Sequence, residues 1–499
     1  MNDTNNALVW RENVVLSPPT EVDKQADKER FLSVLNRSPV HVPLKTLREL
    51  PAFIRQADYS LSAAIGWDGC HYKVISLNPS ALYGVAIDLG STNIVARLID
   101  LEQGTMTTTC HVPNPQLAFG SDILTRMFYA ISTGDNVLHV VLTEAINQLI
   151  EDLVKAQGVT MYDVVAVTVA GNTVMTHFLL DLPVGNIPVS PYVPAIHAPG
   201  FVSPQDLDLK INPEAIVYVF PGTGSYVGGD LVSGVLATGL HLGQSPRVLV
   251  DVGTNAEIAV GCKDWILVGA GAAGPAFDEG VAKIGKRAGP GVIYDVAIDP
   301  STYRVELKTF DNLPPEGICG SGMVSLVASL YKTGLIDNHG TFISGRTGLP
   351  DVDGKLGFVI HDDGMRVIAI NQTDIETFMF TKAAMFTLFY VLIGSVGLTF
   401  SDIERLYLTG ALGTGIDPDA AKTLGLIADF PKVRVVAITN SSVEGAQALL
   451  LNRRLLEDIN TITGLITYKE MNEDGDFMRE FLSARFIPHT EPERLRVHC

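Results

Sequence analysis

A chain of 499 residues is longer than one core can fill, since single cores stop growing near about 250–300 residues, so two or three domains are expected. A hydrophobic share of 46% against 18% charged excludes disorder as the main state. Thirty-six Lys+Arg against 55 Asp+Glu leaves a net charge of −19, which repels phosphate backbones and anionic lipid and sets nucleic acid and membranes aside as partners.

The first ten residues are polar and are expected to fray. Nothing in MNDTNNALVWRENVVLSP supplies the apolar stretch of a signal peptide, so a cytoplasmic protein is expected. LSPPT at 16–20 is a stiff entry to a charged amphipathic stretch, Glu21 to Leu35, in which Phe31, Val34 and Leu35 share one side of a predicted helix. Leu44, Leu47 and Leu50 predict a second helix from Pro43 to Arg55. Asp68-Gly69 lies between the β-rich runs YSLSAAIGW and CHYKVISL, the pattern of a two-residue hairpin turn. Residues 11–80 thus read as a small α+β unit, with a boundary at 80.

From residue 81 to about 450 apolar strands alternate with helical stretches, the pattern of parallel α/β layers. Strands are predicted at 83–89, 93–100, 164–171, 216–222, 247–253, 256–262, 366–371, 405–411 and 434–440. Helices are predicted at 121–132, 136–157, 227–239, 320–333, 372–396 and 443–451. Residues 383–400 carry no charge over 18 positions, but Gly394, Gly397 and the acidic Asp402-Ile-Glu404 favour a buried core helix over a membrane span. Cys70, Cys110, Cys262, Cys319 and Cys499 lie no closer than 40 residues apart, which excludes a disulfide scaffold and a local iron–sulfur module.

YGVAIDLGSTNIVARLID at 83–100 is echoed by RVLVDVGTNAEIAVGC at 247–262, each a strand, an Asp, a Gly-Ser/Thr turn and a second apolar strand. Such a turn converges backbone N–H groups and a hydroxyl on one point, which suits phosphate oxygens. The Asp, one step back, would be repelled by phosphate and is placed to hold a bridging Mg²⁺. The parts are Asp88, Gly90, Ser91, Thr92 and Asn93 in the first copy, and Asp251, Gly253, Thr254 and Asn255 in the second. An ordinary β-turn explains either copy alone; two copies in matching context point to duplicated lobes facing each other, at 81–245 and 246–452, with residues 453–499 as an extension packed on the core. LTGALGTGID at 408–417 runs a strand into a glycine-rich turn where Gly410 and Gly413 would let a flat ring lie close to the backbone. Gly320 and Ser321, in GICGSG, open a helix whose free N–H groups suit an anion. Asp230 stands at a helix start as a second metal contact, a water-orienting base or a simple cap, and Asn172 at a strand-to-helix junction reads as a water-orienting side chain or a cap. Cys319, His111 and His177 lack neighbours at nucleophile or ligand spacing and read as packed or exposed residues.

First phosphate turn, second phosphate turn and glycine-rich turn, in that order, resemble the ASKHA superfamily of acetate and sugar kinases, heat-shock ATPases and actin. Within it the chain is similar to the ATP-dependent reductive activators of corrinoid proteins, through YGVAIDLGSTN, NPQLAFGSDILTRM (114–127), VAGNTVMTHFLL (169–180), GSYVGGDLVSGVLATG (224–239), VDVGTNAEIAVG, AAGPAFDEG (272–280), GICGSGMVSLVASLYKTGLID (317–337), TDIETFMFTKAA (373–384), LTGALGTGID and FMREFLSARFIPHT (477–490). The resemblance implies an α/β fold, a two-lobed actin-like ASKHA ATPase core with a small N-terminal α+β domain of the family's middle type. It further implies ATP and Mg²⁺ held through Asp88 and Asp251, and hydrolysis coupled to returning a methyltransferase corrinoid protein from cob(II)amide to cob(I)amide.

The family pattern has a [2Fe–2S] domain ahead of the small unit or cubane-cluster cysteines after the ATPase core; the resemblance finds neither here, so no iron–sulfur cluster is expected on this chain and electrons would come from a separate ferredoxin-like protein. It also carries Ala270 where the family has a serine, and Ala411-Leu412 where the family has Gly-Phe. Two other readings stand beside it: a nucleotide-dependent chaperone or regulator of a corrinoid system without redox work, and a small-molecule kinase. A homodimer is compatible with all three.

Overall fold

The structure is a computed structural model that describes residues 6–225, 227–253, 256–271, 284–286, 288–346, 348–410, 412–413, 415–431, 434–471, 475 and 477–497. The N-terminal strands β1 (Val9–Val15), β2 (Val40–His41), β3 (Ser60–Trp67) and β4 (Tyr72–Leu77) form a sheet in the order β1-β3-β4-β2. Helices Asp27–Leu35 and Leu44–Gln56 cover it by burying Phe31, Leu35, Leu50 and Ile54. Three expectations are corrected here. Residues 9 and 10 are not frayed but start β1, where Val9 and Trp10 are buried apolar residues paired to β3. The first helix begins at Asp27 instead of Glu21, because Thr20 and Asp23 close a turn ahead of it, with the Asp23 N–H donating to Thr20 Oγ1 at 3.0 Å. The hairpin pairs Trp67 with Tyr72, so its loop spans residues 68–71 and Asp68 Oδ1 accepts from the N–H groups of Cys70 and His71 instead of closing a two-residue turn.

The chain comprises two compact units, residues 1–237 with 442–464, and residues 238–441 with 465–499. The division differs from the expected boundaries in returning residues 442–464 to the first unit.

The main sheet of the first unit contains β5 (Tyr83–Leu89), β6 (Asn93–Asp100), β7 (Thr105–Pro113), β8 (Val164–Gly171), β9 (Gly200–Val202) and β10 (Ile216–Val219), in the order β7-β6-β5-β8-β10-β9. Strands β5, β6 and β7 are an antiparallel meander, while β8 runs parallel to β5 and β10 parallel to β8. Helix Val137–Gln157 makes the crossover to β8; Leu138, Leu142, Ile146, Leu149, Ile150 and Leu153 form its buried stripe, and Gly158 ends it at a φ of 74°. Every residue of β8 is buried, as a central strand with both faces covered requires.

The second unit contains β11 (Arg247–Val252), β12 (Ala256–Cys262), β13 (Trp265–Gly271), β14 (Val292–Ile298), β15 (Val305–Thr309), β16 (Gly317–Ile318), β17 (Asp351–Val352), β18 (Lys355–Asp362), β19 (Val367–Asn371), β20 (Arg405–Gly410), β21 (Val435–Ala437) and β22 (Ile466–Tyr468). Its main sheet runs β21-β20-β11-β12-β13-β22 and repeats the first unit's plan, an antiparallel meander β11-β12-β13 with β20 parallel to β11 and β21 parallel to β20. The echo between the two hairpins is therefore a repeat of five strands in each unit. Helix Gln372–Ser395 is long and apolar enough to cross a membrane by length and composition, but 72% of its most apolar window is buried in the second unit's core.

Candidate functional site

The parts of the site fall into two groups, one in each unit. In the first, β5 carries Asp88 in register with Val95 of β6 and Ala170 of β8. Ser442 Oγ donates to Asp88 Oδ1 at 2.8 Å. Ser442 can reach because Gly445 lets its helix, Ser441–Leu451, lie against helix Gly229–Thr238: a Cβ at Gly445 would sit 2.0 Å from Ser233 O.

The turn after Asp88 is held from behind. Asn114 Nδ2 donates to Gly90 O at 2.9 Å, Arg126 Nη1 to Ser91 O at 2.5 Å, and the Asn114 N–H to Thr92 O at 2.8 Å. A Cβ on Gly90 would lie 2.3 Å from Asn93 O, so only glycine closes this turn. Asn93 Nδ2 is buried and has no hydrogen-bond partner, an orphaned donor that a phosphate oxygen would satisfy.

Asp230 is the second residue of helix Gly229–Thr238, in its first turn and past the cap position, with Oδ1 accepting from the Leu231 N–H at 2.9 Å. Burial raises its pKa above the usual carboxylate range against the pull of the Leu231 N–H, and the Asp88 carboxylate raises it further. Two carboxylates that repel each other in a poorly solvated place fit a divalent cation, which one or two carboxylates and substrate phosphates commonly hold. Asn172 is brought beside this loop, since a Cβ on Gly228 would lie 2.2 Å from Asn172 Cα. Its Oδ1 accepts from Met175 N–H at 2.9 Å, so the side-chain oxygen is a helix cap, and a water-orienting role is left to its amide nitrogen.

In the second group, β11 presents Asp251 opposite Thr409 of β20. Gly410 has a φ of 67°, and a Cβ there would lie 2.4 Å from Val252 O and 2.6 Å from Asp251 Oδ1, so the glycine is what lets the two strand ends close up. Gly413 packs as tightly, with a Cβ position 1.9 Å from Ile438 O. The Cβ position of Gly415 is 3.2 Å from the Tyr294 ring and 3.6 Å from Ser321 Oγ, so the glycine-rich turn abuts the start of helix Gly320–Lys332. Asp251, Gly410, Gly413, Gly320 and Ser321 are thus gathered. Ser321 Oγ is itself buried and 3.1 Å from Cys319 Sγ, which also donates to Ile293 O, so Cys319 is a packed thiol. Gly253 is described, whereas Thr254, Asn255, Ala411 and the segment 272–280 lie outside the described residues. Ala270 falls in β13, paired with Glu257.

Other sequence readings resolve plainly. His177 is locked between Thr173 O and the Ala195 N–H, and burial lowers its pKa. Asp417 caps helix Pro418–Leu424 through the Asp419 N–H. Cys70, Cys110, Cys262 and Cys319 are free thiols, and among the described residues no three His, Cys, Asp or Glu gather as a metal cluster. Sequence reasoning missed Asn114, Arg126, Ser442 and the Tyr294–Phe310 ring pair, centroids 4.8 Å apart. Only for the first two was there a signal, since both lie in the block NPQLAFGSDILTRM, to which no role had been attached.

Three family models match: residues 4–82 to the RACo linker region, 83–243 to the RACo middle region, and 245–498 to the C-terminal domain of RACo, the ASKHA domain. The small N-terminal unit is therefore of the linker type, and the middle region is the one carrying the first hairpin. The chain is 30% identical over 476 residues to the corrinoid activation enzyme RamQ of Eubacterium limosum, covering 88% of this chain and 79% of that one. It is 26% identical over 420 residues to the [Co(II) methylated amine-specific corrinoid protein] reductase of Methanosarcina barkeri, covering 77% and 73%. Among solved structures, a reductive activator for corrinoid, iron–sulfur protein superposes with a TM-score of 0.92 at 33% identity, over 98% of this chain and 80% of that one.

Proposed function

Since the chain belongs to the RACo family, whose C-terminal ASKHA domain spans residues 245–498, we propose that it binds Mg–ATP, hydrolyses it, and uses the cycle to support one-electron reduction of a corrinoid protein from cob(II)amide to cob(I)amide. The observation that carries the nucleotide half is the Asp88–Asp230 carboxylate pair beside a glycine turn whose three carbonyls are all held from behind. The corrinoid half rests on the relatives, one a corrinoid activation enzyme and another a Co(II) corrinoid protein reductase.

In this reading the amides of the 90–93 turn bind phosphate oxygens, and Asn93 Nδ2 gains the acceptor it lacks. Asp88, fixed by Ser442, and Asp230 hold the cation on one side. A Mg²⁺ held by these carboxylates would supply positive charge against the charge that develops on the phosphate. Asp251 and Gly253, with Thr254 and Asn255 next in the sequence, supply the second phosphate contact, and Gly410, Gly413, Gly320 and Ser321 receive the nucleoside. The electron comes from a separate ferredoxin-like donor, the protein acts in the cytoplasm, and two chains can pair.

The test is phosphate release from Mg–ATP with and without a corrinoid protein held in the cob(II)amide state. We expect slow release that the corrinoid partner accelerates, and cob(I)amide absorbance once a low-potential donor is added. Acceleration with an unchanged cobalt spectrum would favour a nucleotide-dependent regulator, and phosphate transferred to a metabolite would favour a kinase.

A further inference from the structure

We propose that Asn114 and Arg126 are positioning residues whose hydrogen bonds to the back of the first turn aim the amides of Ser91 and Thr92 at a phosphate. In a trans peptide the C=O of one residue and the N–H of the next point in opposite directions. Gly90 O accepts from Asn114 Nδ2 at 2.9 Å, so the Ser91 N–H faces the other way; Ser91 O accepts from Arg126 Nη1 at 2.5 Å, so the Thr92 N–H does too. The Asn114 N–H, on Thr92 O at 2.8 Å, turns the amide of Asn93 to the same side. Successive amides facing one side make an anion-binding concavity.

Both supports are rigid. Asn114 caps the short 3-10 helix Pro115–Phe119, its Oδ1 accepting from the Gln116 N–H at 3.0 Å. Arg126 stands on helix Ile123–Thr133, capped by Asp122, and its Nε donates to Gly120 O at 2.8 Å. A purely structural role explains Arg126 poorly. It is fully buried, no carboxylate lies within ion-pair distance of it among the described residues, Nη2 has no partner, and burial pulls its pKa down. The Asp122 carboxylate acts on it only from beyond ion-pair distance, and a buried cation without a directly paired anion is costly. An anion on the far side of the turn offsets that cost, because guanidinium, carbonyl, N–H and phosphate then lie in one polarised chain.

The inference rests on the nucleotide reading above, and its test separates the two. Binding of Mg–ATP and of adenosine is measured by titration calorimetry on the wild type, Asn114→Asp and Arg126→Met. Asn114→Asp keeps the oxygen that caps Gln116 and turns the donor facing Gly90 O into an acceptor. We expect either variant to weaken Mg–ATP by about tenfold or more, the loss of roughly one charge-assisted hydrogen bond. Adenosine, which carries no phosphate, should bind with unchanged affinity, and Arg126→Lys should recover part of the Mg–ATP loss. Parallel weakening of both ligands, unchanged Mg–ATP binding, or loss of a cooperative melt in both variants overturns the positioning role. A wild type that binds neither ligand overturns the nucleotide reading itself.

Discussion

Asp230 ties the site's chemistry to a measurable pH dependence. Its folded pKa is raised from 3.8, first by burial and then by Asp88, so the apo protein is stabilised most at low pH and loses that stability as pH rises through the raised value. Asp230→Asn removes the ionisation and keeps the acceptor for the Leu231 N–H. We expect the apo variant to melt higher than wild type at pH 8 by about 2–4 °C, the shift that about 1 kcal/mol gives at this domain size. The gap should close toward pH 4, and phosphate release should be lost. An equal gap at both pH values would mean that Asp230 keeps an ordinary carboxylate pKa. The sequence identified Asp230 but left cap and metal contact as equals, since one-dimensional text does not show that Asp88 lies near. Ser442 had no signal at all: it reaches Asp88 across 354 positions of chain only because Gly445 and Ser233 let two helices touch.

Helix Gln372–Ser395 makes the same point at the level of an element. Its span was read to within one residue, and its burial followed from the glycines Gly394 and Gly397 and the acidic residues after it. Its one buried charge was not read. Lys382 is fully buried, and its Nζ donates to Ala484 O, Phe486 O and Pro488 O at 2.6, 2.7 and 2.7 Å. Burial pushes the ammonium down to about 7, while three carbonyls pull the other way, since only the charged form has a donor for each. The helix thereby anchors the segment that follows helix Phe477–Ala484, including the last carbonyl of that helix. Lys382→Met fits the volume and strands the three acceptors, each at about 1–3 kcal/mol if it stays dry. We expect urea unfolding to show a loss of about 3–5 kcal/mol, at the upper end for one substitution. A loss under about 1 kcal/mol would mean that water replaces the ammonium.

For the whole molecule, the reading requires that nucleotide stabilise the fold. At about 100 times its Kd, Mg–ATP should add about 2.7 kcal/mol to the unfolding free energy, and Asp88→Asn should cancel most of it. A wild type indifferent to Mg–ATP in the same urea titration would end the nucleotide reading. The duplicated plan behind that reading was legible because two hairpins share a strand, an Asp, a glycine turn and a strand, and period-2 burial writes strands into local text. The outer strands β7 and β13 were missed, since β7 is mostly exposed with polar residues and β13 follows β12 after only the two residues Lys263 and Asp264. By itself the sequence determined the α/β class, the two matching strand–Asp–glycine hairpins and the family, all of which depend on residues near one another in the chain. Only the tertiary structure decided what stands behind each turn: Asn114 and Arg126 on its carbonyls, Ser442 on Asp88, Tyr294 and Ser321 beside Gly415, and the return of residues 442–464 to the first unit. Those contacts join residues tens to hundreds of positions apart, and hydrogen-bond direction and close approach at glycine are properties of packed backbones that local spacing does not record.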